Sequence, residues 1–149
     1  MTGVCKELSI AVLLCLGSMM ASAEESRTLL DMPAPMIDHY LSNMRDHMES
    51  LDQIARAIAD GKYHDVMLLA EERLGNSAFE RHGAAHLNQV MPEHMQELGG
   101  ALHRASSRLA VDAHAAEQEL TADAQKKVLM DFAAVTHTCT TCHAEYRVH

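Results

Sequence analysis

Large rings are scarce in this chain: 149 residues carry no Trp, three Tyr and two Phe. A core so poor in rings must be filled by Leu, Met and Ala, or by a large flat apolar group that is not an amino acid. Proline is sparse too, with three residues, at 33, 35 and 92. Each stands where a helix would begin rather than inside one. Positive charge is in deficit. Twelve Lys and Arg face 21 Asp and Glu, a formal net charge of −9. That balance argues against nucleic acid and anionic membrane surfaces, and suits a partner with a basic docking patch. The apolar run Leu8 to Leu16 is too short to span a bilayer. No Ser/His/Asp set, glycine-rich phosphate loop or paired-carboxylate site is visible, so neither a hydrolase nor a transferase is indicated.

The apolar run belongs to a segment with the form of a secretory signal, residues 1–23. Lys6 supplies a basic residue, partly offset by Glu7, and Ala21-Ser22-Ala23 is an A-x-A cleavage site. The expected mature chain starts at Glu24, in the periplasm, and residues 24–149 suffice for one domain. Cys15 follows Leu14, where lipidation requires a small residue. Cleavage removes Cys5 and Cys15, leaving Cys139 and Cys142 as the only thiols. An exported chain with no other cysteine has no structural disulfide to form.

The mature sequence reads as all-helical. A polar lead-in ends at Pro33-Ala34-Pro35. The first predicted helix runs from about Met36 to Asp60, with an apolar stripe of Ile37, Leu41, Met44, Met48, Leu51, Ala55 and Ile58. The second spans about Lys62 to Leu74, stopped by Gly75. Ser77 and Glu80 have the spacing of a capping box for a short helix. The third begins at Pro92 and fades in the Ala- and Glu-rich segment Asp112 to Glu119; it carries Gly99-Gly100, a costly pair that lets something approach the backbone closely. The fourth starts near Thr121, an N-cap candidate. Its inner face holds Val128, Phe132, Val135, Cys139, Cys142, His143 and Tyr146. Four helices with short connections prefer an antiparallel up-down-up-down four-helix bundle.

Near the C-terminus stands Cys139-Thr140-Thr141-Cys142-His143. This is C-x-x-C-H, the attachment signature of c-type haem. The thiols form thioethers with the two vinyl groups, and the imidazole becomes the proximal axial ligand of the iron. At helical spacing all three project from one face. Three other readings compete. A thioredoxin-like dithiol belongs at a helix N-terminus near a βαβ unit. A zinc site could use His137 with the motif's residues, but lacks a second familiar ligand pair. A Cys139–Cys142 disulfide would close a very short loop.

The motif on the last helix, continued by Tyr146 and Arg147, together with the export signal and the four-helix pattern, resembles the class II c-type cytochromes, the cytochrome c prime superfamily. The resemblance covers the mature chain, but only the motif is specific. It implies one covalent haem c inside the bundle, bound through Cys139 and Cys142 and ligated by His143, with Arg147 as a propionate contact. It also implies a possible homodimer and two sub-types. Low-spin members fill the sixth site with a methionine of the first helix; high-spin members leave it open. The length between Leu74 and Pro92 and the eleven histidines depart from the usual pattern.

In an antiparallel bundle the end of the last helix lies beside the start of the first. The window 36–48 offers Met36, His39, Met44, His47 and Met48. Met44 is the favoured sixth ligand, His47 the next, and an open site the third outcome. Arg104 and Arg108 are further propionate candidates. His82 and His86, four apart, read as ordinary histidines or a weak metal pair, and Glu71, Glu72, Glu117 and Glu119 as solvated surface. The resulting expectation is a periplasmic monohaem electron carrier, not an enzyme, exchanging electrons with a redox partner protein. A five-coordinate cytochrome binding nitric oxide or carbon monoxide, and a haem-free metal-binding helical module, are the alternatives.

Overall fold

The structure, a computed structural model, describes residues 25–149 except Glu80 and Gly83, and nothing is described of the side chains of Ala84 and Ala85. The expected signal segment and the Glu80 half of the capping box lie outside the described residues. The chain is an all-α bundle. Its helices are α1 (Ala34–Ala59), α2 (Tyr63–Leu69), the short α3 (Ala84–Leu87), α4 (Glu93–Gln118) and α5 (Ala122–Glu145). A π-helical turn, Ala70–Leu74, extends α2, and a 3-10 turn, Asn76–Ala78, follows. Among the described residues no helix is long and apolar enough to cross a membrane.

Local chemistry sets the helix ends. Pro33 and Pro92 occupy the N-cap positions of α1 and α4, where a missing N–H costs nothing. Gly61, at φ +68°, turns the chain between α1 and α2 in a conformation that side-chain-bearing residues avoid. The Thr121 hydroxyl accepts the Ala124 N–H at 3.0 Å, so the expected cap of α5 is present. Helix α4 runs to Gln118, near the far end of the segment in which it is expected to fade. Its last turns bury Ala113 and Ala116 against the core, and Ala has the strongest helix propensity.

The main core joins Ile54, Val66, Leu74, Leu109, Val128 and Val135, all fully buried. Helices α4 and α5 oppose each other end to end. His94, at the start of α4, lies 3.3 Å from Glu145, the last residue of α5. The expected stripe of α1 is only partly right. The helix buries His47, Ser50, Ile54 and Ala57, whereas Met48 is 67% exposed and Ala55 is exposed. Ser50 tolerates burial because its hydroxyl donates to the Asp46 carbonyl at 2.7 Å.

Two further departures concern the ends of the chain. Leu30 and Met32 of the expected polar lead-in are buried with Met95 in a small second core. Tyr146 stands beyond the end of α5. It begins β2 (Tyr146–Arg147), which pairs in parallel with β1 (Thr28–Leu29). This two-residue pair fastens the lead-in to the end of α5, beside the cysteine motif.

Candidate cofactor site

The last three turns of α5 carry the motif. The run is rich in β-branched threonines, which are mediocre helix formers. Here their hydroxyls fold back onto the helix. Thr138 donates to the Val135 carbonyl at 2.7 Å, and Thr140 and Thr141 both donate to that of His137 at 2.9 Å. The helix therefore continues unbroken through Cys139, Cys142 and His143, and spacings of three and four set them on one side. Cys139 packs against the main core, Cys142 against the second. Both thiols are free and half-buried; His143 is exposed at the cleft rim.

All three line one cleft between α1, α4 and α5. Its cavity volume is about 150 Å³, and the free space counting its open mouth about 970 Å³. Met44, Met48 and Leu51 of α1 face it, as do Leu98, Gly99 and Leu102 of α4. The middle of the α1 stripe is thus the wall of a cleft, while Leu51 and Ile58 also pack against the main core and Ile37 against the second.

The start of α1 does lie beside the end of α5. Tyr40 is hydrogen-bonded to the Cys142 thiol, and burial pushes the Tyr40 phenol well above its usual range. Met44 faces the cleft and also a second hollow on its other side, both shared with Cys142 and His143. Arg147 lines that second hollow, and its Nε is buried without a partner. Arg104 and Arg108 do not share this neighbourhood. They border a separate hollow with Asp112 and Asp131.

The thiols are kept protonated. Burial, with the nearby Cys139 and Glu145, pushes Cys142 up to about 11, although Tyr40 opposes the shift. Burial also raises Cys139. A redox dithiol uses the positive end of a helix to lower its thiol pKa. These cysteines sit at the opposite, electronegative end. Zinc requires thiolates, which burial likewise disfavours here.

The residues fit a haem on four counts. The donor set is two neutral thiols and an imidazole on one helical face. The facing wall is apolar. A Cβ built on Gly99, which lines the cleft, would meet nothing within 4 Å, so that glycine leaves open space. Finally, the unpartnered Arg147 Nε offers a buried donor to a propionate oxygen.

Sequence reasoning missed a group in the cleft. His47 of α1, His82 of the connection before α3, and His103 of α4 all line it. The Nε2 of His47 is 3.2 Å from the Nδ1 of His82. The Nδ1–H of His103 donates to the Leu74 and Gly75 carbonyls at 2.8 and 3.0 Å, where the π-turn ends; the Gly75 carbonyl also accepts the Ala78 N–H. Burial, then its histidine neighbours, lowers His47 to about 4, against an opposing pull from Asp46. Burial also lowers His82 and His103. His82 therefore does not pair with His86, which is exposed. The spacing of 82 and 86 suggested one helical face, but α3 begins only after His82.

Glu71 is not simply solvated either. It accepts hydrogen bonds from Ser107, at 2.5 Å, and from Ser77. Although burial opposes them, these hydroxyls hold its carboxyl below the usual value. No protein-family model, curated protein or solved structure matches this chain.

Proposed function

We propose that this chain is an exported monohaem c-type cytochrome that carries electrons in the periplasm. One observation carries the reading: Cys139, Cys142 and His143 open together onto an apolar cleft that Gly99 leaves free on the facing helix. Cys139 and Cys142 would hold the haem covalently, His143 would ligate its iron, and Arg147 would meet a propionate. Bound there, the haem supplies a one-electron couple whose potential responds to axial ligand, burial and nearby charge.

The protein residues do the rest. Leu51, Leu98 and Leu102 exclude water from the cleft. The long, capped α5 holds both thiols and the imidazole in fixed register, so little has to move during electron exchange. Met44 is the candidate sixth ligand, because it borders the same two hollows as His143. A thioether there favours the reduced state and suits a carrier. The acidic surface suits a redox partner with a basic patch.

Two measurements test this. Protein made with a cytochrome maturation system should retain haem stain after denaturing electrophoresis. A mass equal to the mature polypeptide alone would overturn the proposal. The oxidised protein should then show a low-spin spectrum with a methionine-to-iron charge-transfer band that Met44→Ala removes. A high-spin spectrum that responds promptly to carbon monoxide on reduction would instead support the gas-binding alternative.

A further inference from the structure

Three histidines from three different parts of the chain line the cleft, and with Met44 as sixth ligand the proposed haem uses none of them. We propose that His47, His82 and His103 form a second, haem-independent site for a borderline divalent transition-metal ion such as zinc.

The spacing carries the argument. Imidazoles bound tetrahedrally to one zinc-like ion at about 2.05 Å place their donor nitrogens roughly 3.3 Å apart and their ring centres roughly 5.2 Å apart. The His47 Nε2 and His82 Nδ1 are 3.2 Å apart. The ring centres are separated by 4.6 Å for His47–His82, 5.6 Å for His82–His103 and 6.5 Å for His47–His103. The His47 and His82 donor nitrogens are at the right separation but face each other in a hydrogen bond, and their ring centres stand about 0.6 Å too close, so an ion would have to part and turn the two rings. Among the described residues no three such side chains are yet drawn into a complete ligand set; His103 must approach the pair by roughly an ångström to complete it.

The supporting shell has the expected form. A ligating imidazole usually donates its other N–H to a carbonyl or carboxylate, which fixes the tautomer. His103 does this through Nδ1–H with the Leu74 and Gly75 carbonyls, leaving Nε2 with a free lone pair. The Nε2 of His82 lies on the side of Asp46, 3.9 Å from Oδ2. The connection that carries His82 is tied to α1, because Asn43 Nδ2–H donates to the His82 carbonyl at 2.8 Å. Before metal arrives, His47 and His82 share a proton between two nitrogens. On binding, that proton shifts to the outer nitrogen of His47, so all three rings enter as neutral donors. Three imidazoles and no thiolate select zinc, cobalt(II) or copper(II) over magnesium or calcium. The fourth position faces the cleft and is left for water.

The test uses the untagged mature chain with haem attached and, in parallel, a Cys139→Ser/Cys142→Ser chain that cannot attach it. Zinc chloride is titrated calorimetrically into both, and cobalt(II) chloride is followed by its visible absorption in the haem-free form. The expected result is one equivalent bound in each. Affinity should fall at least about tenfold in His82→Gln and in His103→Gln, but not in the surface control His86→Gln nor, in the haem-free serine chain, in His143→Gln. Binding that survives His82→Gln, or that vanishes with His143→Gln in the serine chain, would overturn the proposal, as would the absence of stoichiometric uptake. If a variant loses its helical circular dichroism, copper(II) spin resonance on the chain with all its histidines decides instead. Coupling to three nitrogens supports the site and fewer refutes it. Failure of metal uptake leaves haem staining untouched, and failure of haem attachment leaves uptake by the serine chain untouched, so the two proposals fail separately.

Discussion

Neighbouring glycines in α4 offer a sharp test of where the proposed haem would lie, because one faces the cleft and the other does not. A Cβ on Gly99 would have open space on the cleft side; one on Gly100 would meet only Arg104 Nη1, at 3.0 Å. That guanidinium is the far end of a flexible side chain and can swing away. Both positions are inside the helix, where replacing Gly stabilises by roughly 1 kcal/mol. Gly99→Leu also covers part of an apolar wall, and half-burying a leucine adds about 1 kcal/mol. Measured in the Cys139→Ser/Cys142→Ser chain, Gly100→Ala should be more stable by roughly 1 kcal/mol and Gly99→Leu by about 1–2 kcal/mol. Each kcal/mol corresponds to roughly 4 °C in Tm for a chain of this size. In the chain with both cysteines the two variants should part. Gly100→Ala should load haem fully, whereas Gly99→Leu, stabler but with its cleft filled, should lose most covalent haem. Chemical denaturation supplies the stabilities and haem stain per mole of protein the occupancy. Full occupancy in Gly99→Leu would refute the placement. Equal loss in both would mean that maturation responds to α4 in general and not to the cleft.

Other consequences are as direct. Burial and the neighbouring Asp112 raise the Asp131 carboxyl above its usual value, so folding is opposed where the group is ionised. Asp131→Asn should raise Tm at pH 7, and the gain should shrink as the pH falls through the raised value toward 3.8; a gain that grows on acidification would reverse the sign. A Cβ on Gly75 would stand 2.8 Å from the Glu71 Cα, a clash with backbone that cannot swing aside. Gly75→Ala should therefore cost about 1–3 kcal/mol in urea denaturation. Leu109 is fully buried in the main core, and Leu109→Ala should cost about 2–5 kcal/mol by the same assay. Arg147→Gln should keep the covalent haem yet lower its reduction potential in a redox titration, because a nearby cation disfavours the oxidised charge; an unchanged potential would remove Arg147 from the site.

Features set by neighbours a few residues apart were legible in the sequence. Thr121 caps α5, Gly61 turns the chain after α1, and three and four residues separate the members of the cysteine motif. Each depends on helical geometry alone, so no tertiary knowledge was needed. The rotation of α1 was not legible for a specific reason. An apolar stripe marks surface that avoids water; it does not say whether protein or a cleft lies opposite. Met44, Met48 and Leu51 keep the expected period, yet they face the cleft; of the neighbouring face Ser50 goes into the protein and His47, though buried, borders the same cleft. That face reads as polar until its partners are known. Ser50 is satisfied within its own turn, but His47 needs His82, 35 residues away. The histidine group is harder still. His103 finds its acceptors 28 and 29 residues earlier, at the carbonyls where the π-turn ends. No local period announces such an encounter.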